Sequence, residues 1–146
     1  MSSLHEKEIL LIDDAPEARM LARKILEVDG AIVSEASTID DGINLIRNKV
    51  PHLILVDLEM PVRSGFEFLT VREGDALFKT IPTIVLSGRK DRESIQKVIA
   101  FGANDYILKL FRAILLLQKV RKVLMLISFY SRKIVSETKL DATFSI

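Results

Sequence analysis

The chain has 146 residues, 49% of them apolar and 28% charged, with a formal net charge of +1. That is the profile of one ordinary globular domain, long enough to bury a core and too apolar to be disordered. The absence of cysteine excludes a disulfide framework and a thiolate metal site.

The N-terminal segment carries charges where a signal peptide needs an apolar core. The most apolar stretch, 110–130, is broken by Arg112, Gln118, Lys119, Arg121 and Lys122, so no membrane-spanning helix is expected and a cytoplasmic location is. The two signs of charge are unevenly placed. Residues 1–109 carry 14 basic and 18 acidic side chains, whereas residues 110–146 carry 7 and 2. The basic residues of the tail are spread out rather than blocked, as on a solvated helix.

In chain order, "EILLID" (8–13) reads as a short strand buried on both faces. "PEARMLARKILEVDG" reads as a helix, with Pro16 in its first turn, Glu17 at the positive end and Gly30 as its stop. "AIVSEA" (31–36) has polar residues inside and suits an edge strand. A helix follows from about Ser37 to Asn48, then a buried strand at 53–57. "RSGFEFLTVRE" predicts a short helix capped by Ser64. A fourth strand spans 83–87, a helix over "DRESIQKVIAFG" ends at Gly102, a fifth strand spans 105–108, and a last helix starts near Phe111.

Strands alternating with helices imply an α/β fold: a doubly wound, five-stranded parallel sheet with helices on both faces. Open sheets of this kind place their sites at the carboxyl ends of the strands. There the first strand ends in Asp13 and Asp14, the third in Asp57 and the fourth in Ser87, and Lys109 follows the fifth. Crowded carboxylates resist ionisation unless a cation joins them. A small hard cation such as Mg²⁺ takes oxygen ligands and keeps some waters. A carboxylate nucleophile, a cation, a hydroxyl and an ammonium together are what phosphoryl transfer asks for.

The stretches "ILLIDD", "LILVDLEMP", "SG" after "TIVL", and "GANDYILK" resemble the signatures of two-component response regulator receiver domains, over roughly residues 6–124. The resemblance to single-domain chemotaxis regulators implies a flavodoxin-like sheet of order 2-1-3-4-5, Mg²⁺ as cofactor, and a histidine kinase or phosphotransfer protein as partner. It implies Asp57 as phosphoacceptor. Asp14 would be a direct metal ligand, Asp13 would act largely through water, and Glu59 would offer its backbone carbonyl. Ser87 would bond the phosphoryl oxygen, Lys109 would pair with Asp57 and then with phosphate, and Tyr106 would be the aromatic switch. Glu59 and Arg89, two residues beyond Asp57 and Ser87, fall at rim positions that influence phosphate lifetime in the family. Met60, Pro61 and Gly65 shape the loop after the acceptor. His5 and His52 have no metal-like spacing and are expected to face solvent.

Two alternatives share parts of this pattern. A haloacid-dehalogenase-like phosphatase also uses an aspartate nucleophile and Mg²⁺, but its nucleophile strand usually leads the fold, and a second aspartate stands where this chain has Glu59. A pseudo-receiver, a binding module that no longer uses phosphate, is suggested by Leu110, because the family usually has a cis-bonded proline there. Cis costs about 2.5–4 kcal/mol before any other residue, so the expectation is a trans bond, a less well aimed Lys109 or a displaced last helix.

The expected organisation is a receiver domain over 1–124 and a C-terminal extension over 125–146. The extension is too short for a recognisable DNA-binding domain, so direct DNA binding is not expected. No turnover beyond the chain's own phosphorylation and dephosphorylation is expected either. Ile114 to Leu117, Val120, Val123, Leu124, Leu126 and Ile127 make the last helix too apolar for one buried face. It predicts an extended helix that forms a homodimer or docks a downstream protein.

Overall fold

The structure, a computed structural model, describes residues 4–109, 111 and 113–144, with side chains through residue 129. Leu110, and with it the Lys109–Leu110 bond, lies outside the described residues, as do the side chains of most of the extension. The elements are β1 (Glu8–Ile12), α1 (Pro16–Val28), β2 (Ile32–Ala36), α2 (Ile39–Asn48), β3 (Leu53–Asp57), α3 (Gly65–Glu73), a 3-10 turn (Phe78–Thr80), β4 (Thr83–Ser87), α4 (Arg92–Ala100), β5 (Asp105–Leu108) and α5 (Ala113–Phe144). Helix α2 begins two residues later than its pattern suggests because Thr38 is its cap. Thr38 keeps an extended backbone, and its Oγ1 accepts from the Asp41 amide at 3.1 Å. Ser64 caps α3 as expected, accepting from the Glu67 amide.

The strands form one parallel sheet of order β2-β1-β3-β4-β5, the flavodoxin-like arrangement. β3 and β4 are buried throughout, which is why they read as unbroken apolar runs. β2 is an edge strand, with Ile32 and Ser34 exposed.

Alternation along the strands feeds two cores. Leu10, Ile12, Ile54, Val56 and Val85 face Ile39, Ile43 and Ile46 of α2, Phe68 and Leu69 of α3, and Val98 of α4. Ile9, Leu11, Leu53, Leu55, Ile84, Leu86 and Ile107 face Ala22 and Leu26 of α1 and Leu116, Val120 and Val123 of α5.

Among the described side chains of α5, those that pack on this second core belong to its first part. Arg121 fastens it to the end of α1 by a two-pronged contact with Asp29, at 3.1 and 2.5 Å. Beyond Leu124 the described side chains are out of the core: Met125, Leu126, Ile127 and Phe129 are all exposed. Helical backbone nevertheless continues to Phe144.

Two local features fix the loop after β3. A Cβ on Gly65 would lie 2.5 Å from the Asp57 carbonyl oxygen and 2.8 Å from the Leu58 Cα, so only glycine lets α3 start this close to the end of β3. Three residues earlier, the Arg63 amide donates to the Pro61 carbonyl at 2.8 Å, closing a three-residue turn around Val62 at φ 69°. That turn is strained, and a β-branched residue suits it least. Arg63 bonds Asp40 at 2.5 Å and Glu67 at 3.4 Å, which ties the turn to α2 and α3. Val62 is 98% exposed, so its side chain gives little back in packing. Val62→Gly should therefore raise stability by about 0.5–1.5 kcal/mol, seen as a higher urea midpoint with an unchanged slope. A lower midpoint would show that the valine side chain is supported.

Candidate functional site

Backbone hydrogen bonds carry the sheet ladder past the strand ends into the loops that bear the polar residues. The Asp13 amide donates to Ala36, the Leu58 amide to Leu86 and the Lys109 amide to Ser87, at 3.1, 3.0 and 2.8 Å. Asp13, Asp57, Ser87 and Lys109 thus stand on neighbouring strand ends, and side chains distant in sequence share one edge.

Lys109 Nζ donates to Asp57 Oδ2 at 3.0 Å, across 52 residues of sequence. It also lies 3.2 Å from Asp13 Oδ2. The ammonium is therefore well aimed, whatever the bond to Leu110. Asp13 and Asp57 are buried, whereas Asp14 is exposed. One oxygen from each of the three carboxylates lies within 4.8 Å of the others.

Burial drives the Asp57 carboxyl up to about 6, and the Lys109 hydrogen bond only partly opposes it, while the nearby Asp13 charge raises it further. Burial works against the Lys109 ammonium too, but the bond and charge of Asp57, with help from Asp13, hold its pKa above the ordinary value.

The donor set suits a hard divalent cation. It consists of carboxylate oxygens at a rim open to water through Asp14. Asp13 Oδ1 accepts from the Ala15 amide at 2.9 Å, whereas the buried Oδ2, 3.2 Å from the Lys109 ammonium, has no hydrogen-bond donor among the described residues. A buried carboxylate oxygen in that state is short of a positive partner.

The rim is organised around Arg89. Its amide donates to Ser87 Oγ at 3.1 Å, its carbonyl accepts from the Tyr106 hydroxyl at 2.6 Å, and its guanidinium pairs with Glu59 at 2.6 Å. Tyr106 is 7% exposed, so its ring is already inside. Its carbonyl accepts from Lys119 of α5 at 3.0 Å, and the same ammonium pairs with Asp105 at 2.8 Å. His5 and His52 face solvent.

Three contacts carry no signal in the spacing of the sequence: the second pairing of Lys109 with Asp13, the link from Lys119 to β5, and Arg19. The Arg19 guanidinium donates to the Asp13 carbonyl at 2.6 Å and pairs with Glu35 at 3.3 Å. A cation in the first half of α1, where the helix dipole disfavours it, is the one signal that marked Arg19.

The raised Asp57 value means that the folded protein binds this proton more tightly than the unfolded chain does. The stability associated with it is present at low pH and lost as pH rises through about 6. In metal-free protein, Asp57→Asn should therefore be more stable than wild type at pH 7.5 by on the order of 1–3 kcal/mol. Urea unfolding at pH 4.5 should show the gain shrinking. A gain that is constant with pH would contradict the assignment.

A family model described as the response regulator receiver domain matches residues 9–121. An uncharacterised 14.6 kDa protein of Leptolyngbya boryana is 36% identical over 110 residues, 75% of this chain and 83% of that one. The phosphate regulon transcriptional regulatory protein PhoB of Klebsiella pneumoniae is 30% identical over 84% of this chain, which spans 53% of that regulator's length. A solved CheY-like response regulator receiver domain protein from Methanospirillum hungatei superposes with a TM-score of 0.78 at 28% identity, covering 86% of this chain and 98% of that one. With the strand order and the carboxylate edge described above, these matches establish that the chain belongs to the response regulator receiver domain family.

Proposed function

We propose that the protein is a phosphorylation switch that accepts a phosphoryl group on Asp57 from a histidine kinase or a phosphotransfer protein. The observation that carries this reading is the Lys109–Asp57 contact at 3.0 Å beside two further carboxylates. In the transfer, an Asp57 oxygen forms a bond to phosphorus while the bond from phosphorus to the donor's histidine nitrogen breaks. Burial makes Asp57 more basic than an ordinary carboxylate yet still anionic at neutral pH, which favours it as nucleophile.

Asp13, Asp14 and Asp57, with the Glu59 carbonyl, would hold Mg²⁺, which supplies charge neutralisation for the phosphoryl oxygens. Lys109 is placed to pair with the same oxygens. Ser87 Oγ already accepts from the Arg89 amide, leaving its hydroxyl hydrogen to donate to the phosphoryl group. The pocket is proposed to act on no other substrate; it promotes only gain and loss of its own phosphate.

The added charge biases the face formed by α4, β5 and α5. Ser87, the Arg89 backbone, Tyr106 and Lys119 form a continuous run of contacts from the pocket to α5. The exposed apolar side chains of α5 beyond Leu124 favour self-association or a downstream protein as the output.

Acetyl phosphate with Mg²⁺ should add one phosphate per chain to wild type and none to Asp57→Asn, measured by intact mass. Sedimentation of the same samples should show a phosphate-dependent change of size in wild type alone. Labelling of Asp57→Asn to the same extent would rule out Asp57 as acceptor.

The Glu59–Arg89 pair spans the pocket mouth and should slow attack of water on the phosphate. A Glu59→Ala/Arg89→Ala double variant is expected to lose phosphate several-fold faster. Equal or slower loss would remove the shielding role.

A further inference from the structure

Asp13 is held at three points. Its amide donates to the Ala36 carbonyl of β2 at 3.1 Å, its Oδ1 accepts from the Ala15 amide at 2.9 Å, and its carbonyl accepts from Arg19 Nη1 at 2.6 Å. These contacts leave over Oδ2, which is buried and without a hydrogen-bond donor among the described residues. It lies on the side of Lys109, 3.2 Å from the ammonium.

Of the three contacts, the one from Arg19 reaches furthest. The carbonyl it holds belongs to the peptide plane that joins Asp13 to Asp14. One donor on that plane orients the backbone from which both carboxylates project. The guanidinium is itself fixed. Its Nε donates to Glu35 Oε1 at 3.3 Å, Glu35 stands on β2 next to Ala36, and Arg23 holds the other Glu35 oxygen. The Arg19 side chain is 18% exposed, so water competes little for the contact. Glu35 also balances the Arg19 charge, which limits its repulsion of a cation at the carboxylate edge. A guanidinium has no lone pair to offer a metal, so its influence on an ion runs through the backbone.

We propose that Arg19 is a positioning residue for the divalent cation: through the Asp13 carbonyl it fixes the Asp13–Asp14 peptide plane, and so raises the affinity of the carboxylate cluster for the ion. The proposal rests on the reading of Asp13, Asp14 and Asp57 as the groups that hold Mg²⁺. Groups that orient a metal's ligands are typically worth about 10–100-fold in affinity.

The experiment titrates Mn²⁺ into the full chain without a phosphodonor and reads the free ion from its EPR signal. Arg19→Gln keeps a donor at the Nε position, toward Glu35, but stops short of the Asp13 carbonyl. It also removes a positive charge, which by itself would tighten cation binding. Positioning and bare electrostatics therefore predict opposite signs. Arg19→Gln is expected to weaken Mn²⁺ binding about tenfold. Arg19→Lys, whose ammonium reaches nearly to the place of the guanidinium carbon, is expected to recover most of the affinity. Binding by Arg19→Gln as tight as wild type, or tighter, would overturn the inference and leave the metal reading intact, with Arg19 only a tether between α1 and β2. An Arg19→Lys variant that binds no better than Arg19→Gln would overturn it as well. No Mn²⁺ binding by wild type, or binding unchanged in an Asp13→Asn/Asp14→Asn variant, would remove the metal reading itself, and the inference with it.

Discussion

Two carboxylates buried on adjacent strands share a single ammonium, and most of the site follows from that shortage of positive charge. Asp13 and Asp57 are nearly withdrawn from water, and Lys109 touches both. Burial is the main reason that Asp57 holds its proton more tightly than usual, the Asp13 charge adds to it, and Asp13 keeps one oxygen without a donor among the described residues. Such an arrangement is costly in an isolated fold. A divalent cation joining the cluster, as the proposed switch requires, would offset that cost.

The parallel sheet is what makes that crowding achievable. Only parallel strands present all their carboxyl ends on one side, and only strands buried on both faces hold those ends rigidly enough to keep like charges together. The ladder bonds continuing into Asp13, Leu58 and Lys109 extend that rigidity one residue into the loops. Gly65 completes it by letting α3 begin against the backbone of Asp57. Lower down, Arg72 is buried and donates to the carbonyls of Ile81 and Gly102, so α3 is cross-linked to the segments that lead into β4 and β5.

The sheet, its order and the five polar strand ends were legible in the sequence because apolar runs, punctuation and topology act locally and additively. That Asp57 and Lys109 share one sheet edge was legible for the same reason, although they are far apart in the chain; their pairing was implied by the family resemblance. The sequence pattern was silent where side chains choose among several partners. Lys109 reaches Asp13 as well as Asp57, Arg72 is buried, and the Tyr106 hydroxyl donates to the Arg89 carbonyl. These outcomes depend on which carbonyls a neighbouring loop leaves free, and no spacing rule encodes that. Val62 was opaque as well, since nothing in "MPVRSG" marks the valine as the residue at positive φ.

Helix α5 would change the scale on which the proposed switch acts. Lys119 bonds it near its base, where Leu116, Val120 and Val123 still rest on the core. From that point to Phe144 the helix extends for about 37 Å at 1.5 Å per residue. A tilt of about 5° at the base, well within the play of packed side chains, carries the far end through about 3 Å. On the proposed reading the helix would serve as a lever with its fulcrum on β5, so that a displacement small at the base becomes large at the far end.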